Sequence, residues 1–126
     1  MTNLNWPGAV DDIRGAARWL KSHGAKKVFV TGFCMGGALS LAAGVLVEEV
    51  DAVAPFYGTP NPGLADTAKC RVPVQGHYGD LDKAAGFADI AAAEALKANL
   101  GKAGVEHEVY RYETVGHAFF FFLSPN

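Results

Sequence analysis

Residues 28–31 (Val-Phe-Val-Thr) make a short β-branched and aromatic run, residues 35–46 are rich in Ala and Leu, and the two meet at Gly32-Phe33-Cys34-Met35-Gly36-Gly37. A strand that becomes a helix within two residues forces the residue at the bend, Cys34, into a strained backbone conformation. Bulky side chains two positions before and two after would collide, and Gly32 and Gly36 stand at those positions. The pattern predicts a strand, a sharp elbow and a helix, with the Cys34 sulfur lifted clear of the sheet at the helix N-terminus. Backbone N–H groups there can hold an oxyanion, that of Met35 foremost. A phosphate-cradling turn is the competing use of such glycines, but its GxGxxG pattern is missing here.

The rest of the chain alternates in the same way. Pro7 suits a first helical turn, Val10, Ile13, Ala17 and Leu20 recur at spacings of three and four, and Gly24 supplies the stop. A second strand is expected over residues 50–55, a third over 72–78 and a fourth over 105–112. Between the second and third lies a loop, residues 59–69, containing Pro60, Pro62, Gly63 and one helical turn. A helix over residues 84–101 precedes the fourth strand. This order implies right-handed crossovers and an α/β fold of about four mostly parallel strands flanked by helices. Both faces of the sheet, and of the strand at 28–31, are expected to be covered. Ligands of such sheets bind beyond the carboxyl ends of the strands.

Composition narrows the partner. The 126 residues suit one domain, half of them are hydrophobic, and 11 Lys and Arg are dispersed among 13 Asp and Glu for a formal net charge of −2. No basic stripe serves a nucleic acid. The longest apolar stretch, residues 38–47, falls well short of the ~20 needed to cross a bilayer. A small molecule is the expected partner, with no nucleic acid and no membrane. Two cysteines and no secretory signal point to free thiols in the cytoplasm. Cys34, Cys70 and the scattered histidines lack metal-ligand spacing, so neither a metal nor a cofactor is expected, and Cys70 reads as a core thiol.

A thiol nucleophile needs a base, and the base needs an orienting carboxylate. Asp80 and Asp82 both follow the third strand, and His117 follows the fourth in Gly116-His117-Ala118-Phe119. Of the four histidines only His117 sits where such a base is required. His23 suits a helix C-terminus, His107 lies within a strand, and His77 is a weaker candidate for the site. The order nucleophile, acid, histidine is that of the α/β-hydrolases.

These residues resemble the dienelactone hydrolases, or carboxymethylenebutenolidases, of the α/β-hydrolase superfamily. The likeness runs through Trp6-Pro7-Gly8, Trp19-Leu20, residues 28–44, Phe56-Tyr57-Gly58, His77-Tyr78-Gly79 with Asp82, and Gly116-His117-Ala118-Phe119-Phe120. It implies a Cys34–Asp82–His117 triad that opens a lactone or cleaves a small ester through a thioester, with Asp82 preferred over Asp80. The likeness covers only the second half of that fold. The early strands, the loop giving a second oxyanion N–H, and the glutamate and arginine that serve thiol and substrate carboxylate all fall outside it. Residues 1–126 are therefore expected to be a single truncated hydrolase domain of weak activity. An uncovered edge at 28–31 and the phenylalanines at 119–122 suggest a homodimer. The alternatives are a non-catalytic binding or assembly module, one part of a split enzyme, or acyl transfer through the same residues.

Overall fold

A computed structural model describes residues 4–121. Helix α1 spans Trp6–Ser22, strand β1 Phe29–Phe33, helix α2 Met35–Leu46, strand β2 Ala52–Phe56, strand β3 Val74–Gly79, helix α3 Ile90–Ala103 and strand β4 His107–Tyr112. Short 3-10 turns cover Thr67–Lys69 and Phe119–Phe121.

Local chemistry sets the element boundaries. Asn5 caps α1, its Oδ1 accepting from the Gly8 N–H at 3.0 Å, with Pro7 in the first turn. Helix α3 starts six residues later than expected from its apolar spacing. The stretch from Ala84 is instead a turn in which the Ala84 carbonyl accepts from the N–H groups of Phe87 and Ala88. Asp89 then caps the helix through its Oδ1, which accepts from Ala92 N–H at 2.9 Å, and Gly104 closes it in the left-handed region at φ 73°.

The four strands lie in the order β1-β2-β3-β4, all parallel, with Val30 opposite Val53, Val53 opposite Val74 and Gly76 opposite Val109. Val53 and Val74 are buried in one apolar cluster with Leu41 of α2, Leu96 and Leu100 of α3, and Val10 and Ala17 of α1. This sheet face is the covered one.

The expectation of a sheet covered on both sides, and of a first strand buried on both, is corrected here. Phe29 is 73% exposed, and a groove of about 380 Å³ runs over the opposite face along Phe29, Thr31, Ala54, Gln75 and Glu108. The reason is topological. Every right-handed crossover advances in the same direction across the sheet, so every intervening helix lands on the same side. Coverage of both faces requires the strand order to reverse, and between β1 and β4 it never does.

Farther toward the carboxyl ends the open face becomes aromatic. Phe33 packs on Phe56, and His77 stacks on Phe56 with ring centroids 4.5 Å apart. His77 Nδ1 lies 2.8 Å from the Tyr112 hydroxyl and Nε2 2.9 Å from Gln75 Oε1, a set of partners that suits a neutral ring. Burial lowers the His77 pKa, opposed by the nearby Glu108 charge. Phe119 and Phe120 pack at the same end, Phe120 at 4.8 Å from Phe33 and Phe119 at 5.0 Å from Tyr57. Phe122, the last of the expected aromatic cluster, lies outside the described residues.

Candidate active site

Cys34 sits between β1 and α2 with φ 58° and ψ −117°, a conformation that L-residues rarely adopt. Two close approaches hold it there. A Cβ at Gly32 would stand 2.2 Å from the Gly36 carbonyl oxygen, and one at Gly58, in the loop after β2, would stand 2.2 Å from the Cys34 carbonyl oxygen. The elbow thus needs one glycine on its own strand and one from the neighbouring loop. Gly36, expected to matter for the same reason, differs: a Cβ there meets nothing within 4 Å among the described residues. Gly58 was not legible as part of the elbow, because its contact joins segments more than twenty positions apart.

Helix α2 begins at Met35, and its first intrahelical bond runs from the Ala38 N–H to the Cys34 carbonyl at 3.1 Å. The Met35 N–H is therefore one of the N-terminal donors that an α-helix leaves without an internal acceptor.

The other residues arrive from the carboxyl ends of β3 and β4. Leu81 N–H donates to the Val115 carbonyl at 3.0 Å, binding the loop after β3 to the loop that carries His117. His117 Nε2 lies 3.1 Å from Cys34 Sγ, and its Nδ1 lies 2.6 Å from Asp82 Oδ2. The second carboxylate oxygen, Asp82 Oδ1, accepts from the Ala84 N–H at 2.9 Å. Exposure differs sharply along this chain of contacts: the Asp82 side chain is 1% exposed and that of His117 is 35% exposed. A buried, fully bonded carboxylate fixes one imidazole nitrogen, and the other faces the thiol at an open surface.

Asp80, two residues away, has a different partner. Its two oxygens accept from Arg111 Nε at 2.8 Å and a terminal guanidinium nitrogen at 3.1 Å, while Arg111 also reaches Glu94 at 2.7 Å. The guanidinium holds the Asp80 carboxyl below its ordinary value. Arg111 thus cross-links the end of β3, β4 and α3.

Tyr57, named above only as part of the family likeness, and Phe87, which the sequence did not single out, pack beside His117. The buried Tyr57 ring meets the His117 imidazole edge-on at 5.0 Å, and the Phe87 ring centroid lies 6.3 Å from it. Burial, and next the adjacent Cys34 sulfur, push the Tyr57 phenol up, which keeps it a neutral wall. The remaining histidines lie elsewhere: His23 stacks on Trp19 at the end of α1, and His107 Nδ1 binds the Val105 carbonyl. Cys70 is a buried free thiol near the Gly44 and Val72 carbonyls, its pKa raised by burial. Among the described residues no group of three or more His, Cys, Asp or Glu side chains is placed to hold a metal ion, and no helix is long and apolar enough to cross a membrane.

The sequence matches the model of the Dienelactone hydrolase family over residues 1–125. The chain belongs to the dienelactone hydrolase family. It is 37% identical over 95 residues to "Protein usf" of Aquifex pyrophilus, covering 75% of this chain and 40% of that protein. It is 34% identical, with the same coverage, to an Aquifex aeolicus (strain VF5) protein named "Putative carboxymethylenebutenolidase". The chain thus spans about 40% of the length of these relatives. In fold it is similar to Arabidopsis thaliana SOBER1, with a TM-score of 0.74 at 23% identity over 90% of this chain and 56% of that one. The four parallel strands and their helices are the part of the dienelactone hydrolase fold that this chain carries.

Proposed function

We propose that the chain carries the catalytic residues of a hydrolase of small carboxylic esters or lactones, with Cys34 as nucleophile, His117 as base and Asp82 as orienting carboxylate. The observation that supports this reading is the contact of one imidazole with Cys34 Sγ at 3.1 Å and Asp82 Oδ2 at 2.6 Å. Membership of the family supports the reaction class.

His117 Nε2 takes the Cys34 proton as sulfur attacks the carbonyl carbon, and the Met35 N–H donates to the oxygen that becomes negative. Collapse of the tetrahedral intermediate breaks the bond to the alkoxide, which leaves with the proton from His117. The acyl group remains on Cys34 as a thioester. His117 then removes a proton from water, the resulting hydroxide attacks the thioester, and the acid departs while Cys34 regains its proton. Asp82 accepts the Nδ1–H bond throughout and keeps Nε2 free for each transfer. In this reading the partner is a small molecule, no cofactor takes part, and the two free thiols fit the cytoplasm.

The test is turnover of p-nitrophenyl acetate by the chain and by Cys34→Ala. The expected result is turnover above buffer that falls to background in the variant. Equal rates in the two proteins overturn the reading and leave a non-catalytic module.

We further propose that residues 1–126 act as a single domain that pairs with a second copy. Among the described residues strand β1 is an edge of the sheet, and Phe29, 73% exposed on the open face, adds apolar surface beside that edge. Size-exclusion chromatography with light scattering is expected to give twice the 13.3 kDa chain mass. A monodisperse monomer overturns it.

A further inference from the structure

A cavity of about 480 Å³ that the chemistry above does not use has as one of its lining residues Phe87, whose ring packs on His117. Trp6 and Pro7 of α1 form one wall, Thr59, Asn61 and Leu64 of the loop after β2 another, and Phe87 of the turn before α3 a third. Two connections join it to the reacting groups. The Phe87 ring centroid is 6.3 Å from that of His117, and Thr59 directly follows Gly58, whose backbone presses on that of Cys34.

The walls are pinned before any ligand arrives. Thr59 Oγ1 donates to the Phe87 carbonyl at 2.8 Å, tying the loop after β2 to the turn before α3. The buried Tyr78 hydroxyl donates to the Gly58 carbonyl at 3.1 Å, tying the same loop to β3. A preformed cavity of this size takes a group as large as an aromatic ring without a cost for ordering the loop. Among the described residues no charged side chain lines it. A carboxylate placed there loses its water and gains no cation in return.

We propose that this cavity is the specificity pocket for the hydrolase reaction and takes a neutral apolar portion of the ester, an aromatic ring or a medium-length alkyl chain. The assignment rests on the Cys34 reading and adds the substrate class to it. Each methylene buried contributes roughly a fourfold gain in apparent affinity. The preference runs toward uncharged esters and away from carboxylate-bearing ones.

The test reads alkylation of Cys34 by mass spectrometry, with N-benzyl iodoacetamide, iodoacetamide and iodoacetate each normalised to its rate with glutathione. In each reaction sulfur displaces iodide, a C–S bond replaces the C–I bond, and the thiol proton is released. The benzyl reagent is expected to gain about 10- to 100-fold over iodoacetamide, iodoacetate to gain nothing, and benzyl alcohol to slow the benzyl reagent in competition. Leu64→Trp, which fills the cavity, should bring the benzyl-to-parent ratio toward one. Two ester series then distinguish the halves of the substrate: acyl chains of increasing length on p-nitrophenol, and alcohols of increasing size on acetate. One series should climb with size.

A benzyl ratio near one in the unsubstituted chain, a gain for iodoacetate, or no competition by benzyl alcohol overturns the proposal, and so does an ester rate flat in both series. A rate that depends on Cys34 yet ignores chain length rejects the pocket alone. A rate that survives Cys34→Ala rejects the triad on which the pocket rests.

Discussion

Asp82→Asn should lower p-nitrophenyl ester turnover by about 10³- to 10⁴-fold while leaving the fold in place. The carboxylate oxygen that meets His117 Nδ1 at 2.6 Å can only accept a hydrogen bond, so it selects the tautomer with the proton on Nδ1 and leaves Nε2 free for the thiol. An asparagine of the same shape can present its NH₂ group instead, which favours the opposite tautomer and sets a ring N–H against Cys34 Sγ. The Asp82 side chain is 1% exposed, so water does not take over its role. The measurement is kcat/KM beside the far-UV circular dichroism spectrum. Asp80→Asn is the contrast, since that carboxylate pairs with Arg111 and does not meet His117. A loss of turnover in Asp80→Asn as large as that in Asp82→Asn would reject the assignment of the acid.

Gly32→Ala should destabilise the chain by about 3 kcal/mol or more, because an added Cβ would stand 2.2 Å from a backbone oxygen that has no rotamer with which to move aside. Relief requires the start of α2 to shift away from β1, which unseats Cys34. Gly36→Ala should behave in the opposite way. Its Cβ has open space among the described residues, and alanine is favoured over glycine within a helix by roughly 0.5–1 kcal/mol. Urea unfolding midpoints of the two variants measure the difference. Equal destabilisation would mean that the elbow does not pack in this way.

Much of the chain was legible before any coordinates. The junction at Gly32-Phe33-Cys34-Met35-Gly36-Gly37 already implied a strained Cys34 between strand and helix, and α2 spans Met35–Leu46 as its composition suggested. Such features are local, since steric limits on a two-residue bend and the periodicity of an apolar face are written within a few positions. The start of α3 was less legible, because apolar spacing continues through Ala84 to Asp89 while an Asp89 cap and the Ala84 turn decide where the helix begins.

By itself, the sequence determined the elbow, the parallel α/β order and the chemical types gathered at the carboxyl ends of the strands. Only the tertiary structure decided that Asp82, the aspartate the family likeness implied, meets His117 while Asp80 meets Arg111, that a Cβ is barred at Gly58 but not at Gly36, that the three described helices share one sheet face, and that Phe87 packs both on the imidazole and against a cavity. The physical reason is range. A bend or a helical stripe is set by neighbours in the chain, whereas a hydrogen bond across 35 positions, or a void between a helix start and two loops, depends on how separate segments are finally packed.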